Sequence, residues 1–218
     1  MPDNSCQTPP EPALRIDSLA PDFEARSTQG LVRLSDFRGS WLVFFSHPAD
    51  FTPVCTSEFL AFERARSRFE ALNCKRLGLS VDSLFAHLGW VRDIEARFGE
   101  TISFPIVEDV SMGISRLYGM IHDGSSTTAA VRSVFVIDPE GYLRAMIHYP
   151  MNVGRSVDEI LRLVEALQVS DARQIATPEG WTPGDEAVLL PPLDQAEAAQ
   201  RAGDKDQPWY FTYAEAAQ

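Results

Sequence analysis

One stretch limits the folds open to this chain more than any other: "WLVFFS", residues 41–46, an apolar run with no polar alternation. A strand that shows neither face to water reads this way, so the sheet containing it needs covering layers on both sides. The chain then changes character at once. "HPADFTPVCTSEF", residues 47–59, is polar and carries Pro48 and Pro53. Thr52 and Pro53 fit an N-cap followed by proline at the first helical position. Phe59, Phe62 and Phe69 recur at helical spacing, and Leu72 extends the stripe. The reading is a buried strand, a stiff corner, and a helix that starts near Thr52 with Cys55 in its first turn.

The rest of the chain alternates in the same manner. Short alternating runs flank Gln29 and Gly30 in "APDFEARSTQGLVRLSDF", which predicts a hairpin. "RLGLSVD" (76–82) is a second buried strand. Leu84, Leu88, Val91, Ile94 and Phe98 mark an amphipathic helix closed by Gly99. "SFPIVED" is a short strand, and "VRSVFVID" and "YLRAMIHYP" are two strands joined at "DPEG". Val157, Ile160, Leu161, Val164 and Leu167 give a further helix. No internal repeat is present. Beyond residue 170 the turn-rich "ATPEGWTPGDEAVLLPPL", a short helix in "DQAEAAQRAG" and the aromatic "DQPWYFTYAE" read as an extension that packs on a partner. The expected organisation is a loose proline-rich tail (1–12), an α/β domain (13–170) and a C-terminal arm (171–218), with the main domain resembling a thioredoxin-like layer.

A formal net charge of -12 argues against broad electrostatic binding to nucleic acid or to an anionic membrane. No apolar run reaches the length of a membrane span, and the first residues lack the basic and apolar regions of a signal peptide. The expected location is the cytoplasm, where thiols stay mostly reduced. Cys6, Cys55 and Cys74 are widely spaced and form neither a CxxC pair nor a zinc-ligand pattern, so no metal site or disulfide framework is expected.

A helix start favours a thiolate, because its free backbone N–H groups and the positive end of the helix dipole point at the sulfur. Thr52, one turn back, offers a hydroxyl. Pro48 and Pro53 stiffen the corner and screen the sulfur from water. Arg132 stands at the start of an apolar strand, where a neutral residue packs more easily. It is the best candidate for a cation that holds the thiolate and polarises a substrate. Each residue also has a structural reading. Thr52 serves as a cap, Arg132 as a solvated strand-edge charge, and Glu58 as a helix-start carboxylate. His87, His122 and His148 are read as structural, and Cys74, ahead of a buried strand, as inert.

Pro48, Thr52 and Cys55 fit P-x-x-x-[TS]-x-x-C, and the wider "HPADFTPVCTSE" resembles the one-cysteine subfamily of the peroxiredoxins. "APDFEA", "LGLSVDS", "VRSVFVIDPEG" and "IHYPMNVGRSVDEILR" match in the expected order, and "ATPEGWTPGDEAVLLPP" looks like that subfamily's dimer-forming arm. The resemblance covers about residues 13–195 and implies a thioredoxin-like fold. It implies a thiol-specific peroxidase that reduces hydrogen peroxide and organic hydroperoxides through a cysteine sulfenic acid, recycled by an external thiol, with no cofactor and no metal. Cys55 would attack the peroxide, Thr52 would hydrogen-bond it, Arg132 would activate the thiol and polarise the O–O bond, and Pro48 would shield the sulfur. His47 and Arg155 match residues that lie near the pocket, His47 with either a structural or a direct role. A homodimer, in some members a ring of dimers, would be the assembly.

Three other activities compete for these residues. A thiol–disulfide oxidoreductase lacks its CxxC here. An acyl hydrolase would need a G-x-S-x-G-like serine, and "GSWL" (39–42) has no second glycine. A chaperone-like oligomer with a sensing thiol stays open. No cysteine follows Cys74, so the arm contains no resolving partner.

Overall fold

The structure, a computed structural model, describes residues 14–202 and 208–214. The chain divides into two compact units, Met1–Arg155 and Ser156–Gln218. The N-terminal tail expected over residues 1–12, with Cys6, lies outside the described residues.

The first unit is built on a seven-stranded mixed sheet. Its strands are β1 (Glu24–Ser27), β2 (Gly30–Arg33), β3 (Trp41–Ser46), β4 (Cys74–Ser80), β5 (Ile106–Glu108), β6 (Arg132–Ile137) and β7 (Leu143–Tyr149). The order across the sheet is β2-β1-β5-β4-β3-β6-β7. β3, β4 and β5 run parallel, while β6 and β7 are antiparallel additions on the far side of β3. All six residues of β3 are buried. On one face Phe45 stacks on Phe62 at 4.3 Å and meets Phe59 and Phe104. On the other, Phe44 packs against Phe23, Tyr118 and Phe135. The unbroken apolar run therefore reflects two covered faces, as expected.

The predicted hairpin is β1–β2, with Gly30 closing the turn at φ 102°, a left-handed conformation that glycine adopts without strain. The β6–β7 turn is tied by Gly141 N–H donating to the Asp138 carbonyl, and the Arg38 guanidinium occupies the space a side chain at Gly141 would need.

The helices of this unit are α1 (Pro53–Arg64), α2 (Arg66–Ala71), α3 (Leu84–Phe98) and α4 (Gly113–Leu117). The single helix expected from Thr52 through Leu72 breaks at Ala65, where the backbone leaves helical geometry at ψ 6°. β4 starts at Cys74, two residues earlier than expected, so Cys74 is a strand residue. α3 has the expected length and its Gly99 cap, but it buries His87, Trp90 and Ile94 and leaves Leu88 and Phe98 exposed. The buried face is rotated from the predicted leucine stripe because a histidine with internal partners can replace an apolar residue in a core.

The second unit contains α5 (Val157–Arg173), the two-stranded β8 (Ile175–Ala176) and β9 (Val188–Leu189), and α6 (Gln195–Arg201). Ser156 caps α5 by accepting from the Glu159 N–H. Trp181 is buried, and Arg162 donates to its carbonyl at 2.9 Å. Tyr213 bridges back to Val188, while Leu193, Tyr210 and Phe211 stay exposed.

Candidate active site

β3 ends at Ser46, and residues 47–52 form the corner that delivers the chain into α1. Phe51 within the corner has a left-handed backbone at φ 54°, strained for a residue with a bulky side chain. Thr52 takes the N-cap position and Pro53 begins the helix, as predicted, but the Thr52 side chain makes no cap. Its hydroxyl donates to the Ala49 carbonyl at 2.8 Å. The proton is thereby committed, and the lone pairs of Oγ1 remain as acceptors.

Cys55 lies in the first turn of α1 and is fully buried. Arg132 opens β6, and its Nη1 donates to Cys55 Sγ at 3.3 Å and to Glu58 Oε2 at 2.7 Å. The other side of the same guanidinium donates twice to the Met151 carbonyl, at 2.9 and 2.7 Å. The fork is held at both edges, so its orientation toward the sulfur is fixed. Arg132 is not the solvated strand-edge charge of the alternative reading: it is 2 % exposed.

Glu58 lies one turn beyond Cys55 on the same face of α1, and the structure overturns its reading as a simple helix-start carboxylate. Its Oε1 accepts from the Arg155 backbone N–H and Nε at 2.8 and 2.9 Å, and its Oε2 from Arg155 Nη2 at 2.7 Å. Burial alone would raise the Glu58 pKa, but the hydrogen bonds and charge of Arg155, with the charge of Arg132, outweigh it and hold the carboxyl below its ordinary value. Two guanidiniums thus face one carboxylate, leaving one positive charge over within this buried trio.

Arg155, expected to lie near the pocket, turns its guanidinium to Glu58. Its side chain has no exposure. Nη1 donates to the Ser46 and Ser133 carbonyls at 2.9 Å each, and the group lies over the Phe45 ring at 5.1 Å. Its contacts tie α1, β3 and β6 together through Glu58. Gly154 lets this segment approach α1 closely: a Cβ there would meet Val54 at 3.3 Å.

Pro48 is half-buried in the corner. His47 is fully buried, with its ring against Phe59 and Trp90, and Nε2 bonds Asp50 Oδ1 at 2.8 Å. The structure therefore gives His47 an internal partner. His87 bonds the other oxygen of Asp50 at 2.7 Å. His148 bonds Ser133 Oγ, and burial and the neighbouring His122 push its pKa down. Cys74 is buried, and burial pushes its thiol up to about 12, which suits the inert reading. Among the described residues His47, Asp50 and His87 are the one group whose ligand atoms gather closely enough for a metal ion, all within 4.8 Å.

Comparison with known proteins agrees over most of the chain. Residues 16–146 match the AhpC/TSA family, and residues 166–205 match the C-terminal domain of 1-Cys peroxiredoxin. "Peroxiredoxin 2" of Picrophilus torridus is 48 % identical over 196 residues, covering 90 % of this chain and 96 % of that one. "Peroxiredoxin" of Aquifex aeolicus is 46 % identical over 210 residues, covering 90 % and 95 %. Among solved structures, the yeast mitochondrial 1-Cys peroxiredoxin, studied for thiol resolution by glutathione and thioredoxin systems, superposes with a TM-score of 0.80 at 40 % identity, covering 92 % of this chain and all of the other. A cysteine-to-serine mutant of Peroxiredoxin 6 from Arenicola marina gives 0.83 at 30 % identity, covering 94 % and 100 %.

Proposed function

The chain belongs to the AhpC/TSA family as a peroxiredoxin of the 1-Cys type and is a thiol-dependent peroxidase; from that premise we propose how its residues divide the work. The Cys55 thiolate attacks the terminal oxygen of a hydroperoxide. The S–O bond forms as the O–O bond breaks, sulfur is oxidised to the sulfenic acid, and the departing alkoxide or hydroxide takes up a proton. Thr52, with its own proton given to Ala49, accepts the O–H of the terminal oxygen and places that oxygen against Cys55. Arg132 faces both the sulfur and the charge that grows on the leaving oxygen. Pro48 screens the corner. Glu58 and Arg155 hold Arg132 and the first turn of α1 in one geometry.

An external thiol completes the cycle. It attacks the sulfenic sulfur with loss of water to give a mixed disulfide, and a second thiol returns Cys55 to the reduced state as those two thiols are oxidised to a disulfide. A reducing cytoplasm suits this cycle, and the described cysteines, Cys55 and Cys74, are both free thiols. A homodimer built through the arm is favoured by the match over residues 166–205 and by the exposed aromatics at its end.

The observation that carries the reading is the 3.3 Å contact between Arg132 Nη1 and a buried sulfur in the first turn of a helix. Single-turnover oxidation by hydrogen peroxide tests it. The expected result is a Cys55 rate orders of magnitude above that of a free thiol, and a rate equal to a free thiol's would favour the sensing oligomer instead.

A further inference from the structure

We propose that Asp50 is a positioning residue for peroxide reduction, fastening the corner 47–52 to the body of the fold through a buried pair with a doubly protonated His87. The inference rests on the peroxidase reading of the corner, which carries Pro48 and Thr52 to Cys55.

The corner needs a fastening. Phe51 holds a left-handed backbone although its ring is exposed, so packing of that ring does not impose the conformation. The restraints come from its neighbour. The Asp50 N–H donates to Asp82 Oδ2 at 2.9 Å, and Ser80 Oγ donates to the same oxygen at 2.8 Å. The Asp50 carboxylate takes His47 on one oxygen and His87 on the other. One buried side chain thus joins the corner to α3, and through His87 to β5.

The protons follow from the partners. His87 Nδ1 faces Asp50 Oδ2 at 2.7 Å, and its Nε2 faces the Val107 carbonyl at 3.2 Å. Both oxygens only accept, so both ring nitrogens must donate, which requires an imidazolium. His47 differs. Its Nε2 donates to Asp50, while Nδ1 is buried with no hydrogen-bond partner, so this ring carries one proton and is neutral. Burial, the largest influence on it, also disfavours its charged form. For Asp50 burial works toward protonation, but the hydrogen bonds from the two histidines prevail and keep it ionised. The arrangement is a charged pair plus one neutral histidine, with no contact to Cys55, so it acts by placing the corner.

The test uses the full-length chain in a Cys6→Ser/Cys74→Ser background. Nitrogen-15 NMR of the histidine rings at neutral pH should show both His87 nitrogens protonated and one bare nitrogen on His47. A bare nitrogen on His87 overturns the charge assignment, and added zinc that replaces these ring protons overturns the pair in favour of a metal site. Asp50→Ala should slow single-turnover oxidation by hydrogen peroxide tenfold or more, while alkylation by iodoacetamide, which needs only a thiolate, stays within about twofold. Asp50→Asn accepts from His47 and donates to a His87 whose single proton turns to Val107. It should recover the peroxide rate to within a few-fold and show His87 neutral. An unchanged peroxide rate in Asp50→Ala, a parallel fall in both reactions, or no recovery in Asp50→Asn each overturns the positioning role. Slow oxidation of the background protein would overturn the peroxidase reading instead, and the NMR result would still decide the pair.

Discussion

Replacing Arg132 with methionine separates its two proposed roles. The substitution keeps an unbranched side chain in the site but removes the charge 3.3 Å from Cys55 Sγ. At that separation, and an effective dielectric of about 20, a unit charge pair interacts by about 5 kcal/mol. Ionisation alone uses only part of this. A free cysteine with a pKa of about 8.5 is about 3 % thiolate at pH 7, so complete ionisation raises its rate about thirtyfold, or roughly 2 kcal/mol. The remainder, less what Glu58 offsets, is available to charge growing on the leaving oxygen. Loss of one such donor in a buried site lowers rates by about 10²–10³. The variant should therefore be slower by about 3 × 10³ to 3 × 10⁴ at pH 7. Stopped-flow oxidation by hydrogen peroxide, run from neutral to strongly alkaline pH, follows the two losses separately. As the thiol of the variant ionises, the first loss should disappear and a deficit of about 10²–10³ should remain. Recovery of the full wild-type rate at high pH would refute the second role and leave Arg132 as an ionisation device only.

Other consequences are equally direct. Cys55→Ser should abolish peroxide reduction, while Cys6→Ser/Cys74→Ser keeps it with a dithiol reductant; substantial turnover by the Cys55 variant would remove the assignment. Glu58→Gln leaves two buried guanidiniums without their carboxylate and should cost about 3–5 kcal/mol in denaturant unfolding. Because the folded-state pKa of Glu58 is depressed, its contribution is present above the ordinary value of 4.5 and is lost as pH falls through the folded-state value, so the acid limb of Tm against pH should be flatter in the variant. If the proposed homodimer is built through the arm, a chain ended after Gln174 should sediment as a monomer, and a soluble truncation with unchanged association would contradict the arm's role. With one equivalent of peroxide and no added thiol, intact mass should rise by one oxygen in a form that dimedone traps; a loss of two hydrogens would point to resolution within the chain.

What the sequence makes legible divides along a physical line. β3 and the start of α1 can be read because a two-sided burial run and a proline at the helix start are local signals. Cys55 and Arg132 can be picked out because a helix-start thiol and a charge at the head of an apolar strand each conflict with their surroundings. The buried face of α3 escapes such a reading because it consists of His87, Trp90 and Ile94, and a histidine satisfied by Asp50 counts as polar in any pattern. The role of Glu58 is hidden for a related reason. Its partners Arg132 and Arg155 lie 74 and 97 positions away, and no helical or strand period connects such pairs. The break at Ala65 has no proline or glycine to announce it.

The fold also bears on why the proposed cycle would use one sulfur and leave the other silent. β3 and β4 are parallel, with Trp41 beside Cys74 and Ser46 beside Leu79. Cys55 follows the end of β3 that Ser46 occupies, and Cys74 sits beside the opposite end. The register from Trp41 to Ser46 sets those ends five residues apart, about 16 Å at the rise of a strand, whereas a disulfide joins Cα atoms no more than about 7 Å apart. Bridging them would require dismantling the centre of the sheet. Cys74 is also poorly suited as a nucleophile, since burial holds its thiol at about 12. A sulfenic acid on Cys55 therefore finds no partner in the sheet that supports it. The strand-to-helix corner that brings Arg132 to one sulfur is also what separates that sulfur from Cys74, so of the two described cysteines neither can resolve the other, and a thiol from outside the described residues must do so.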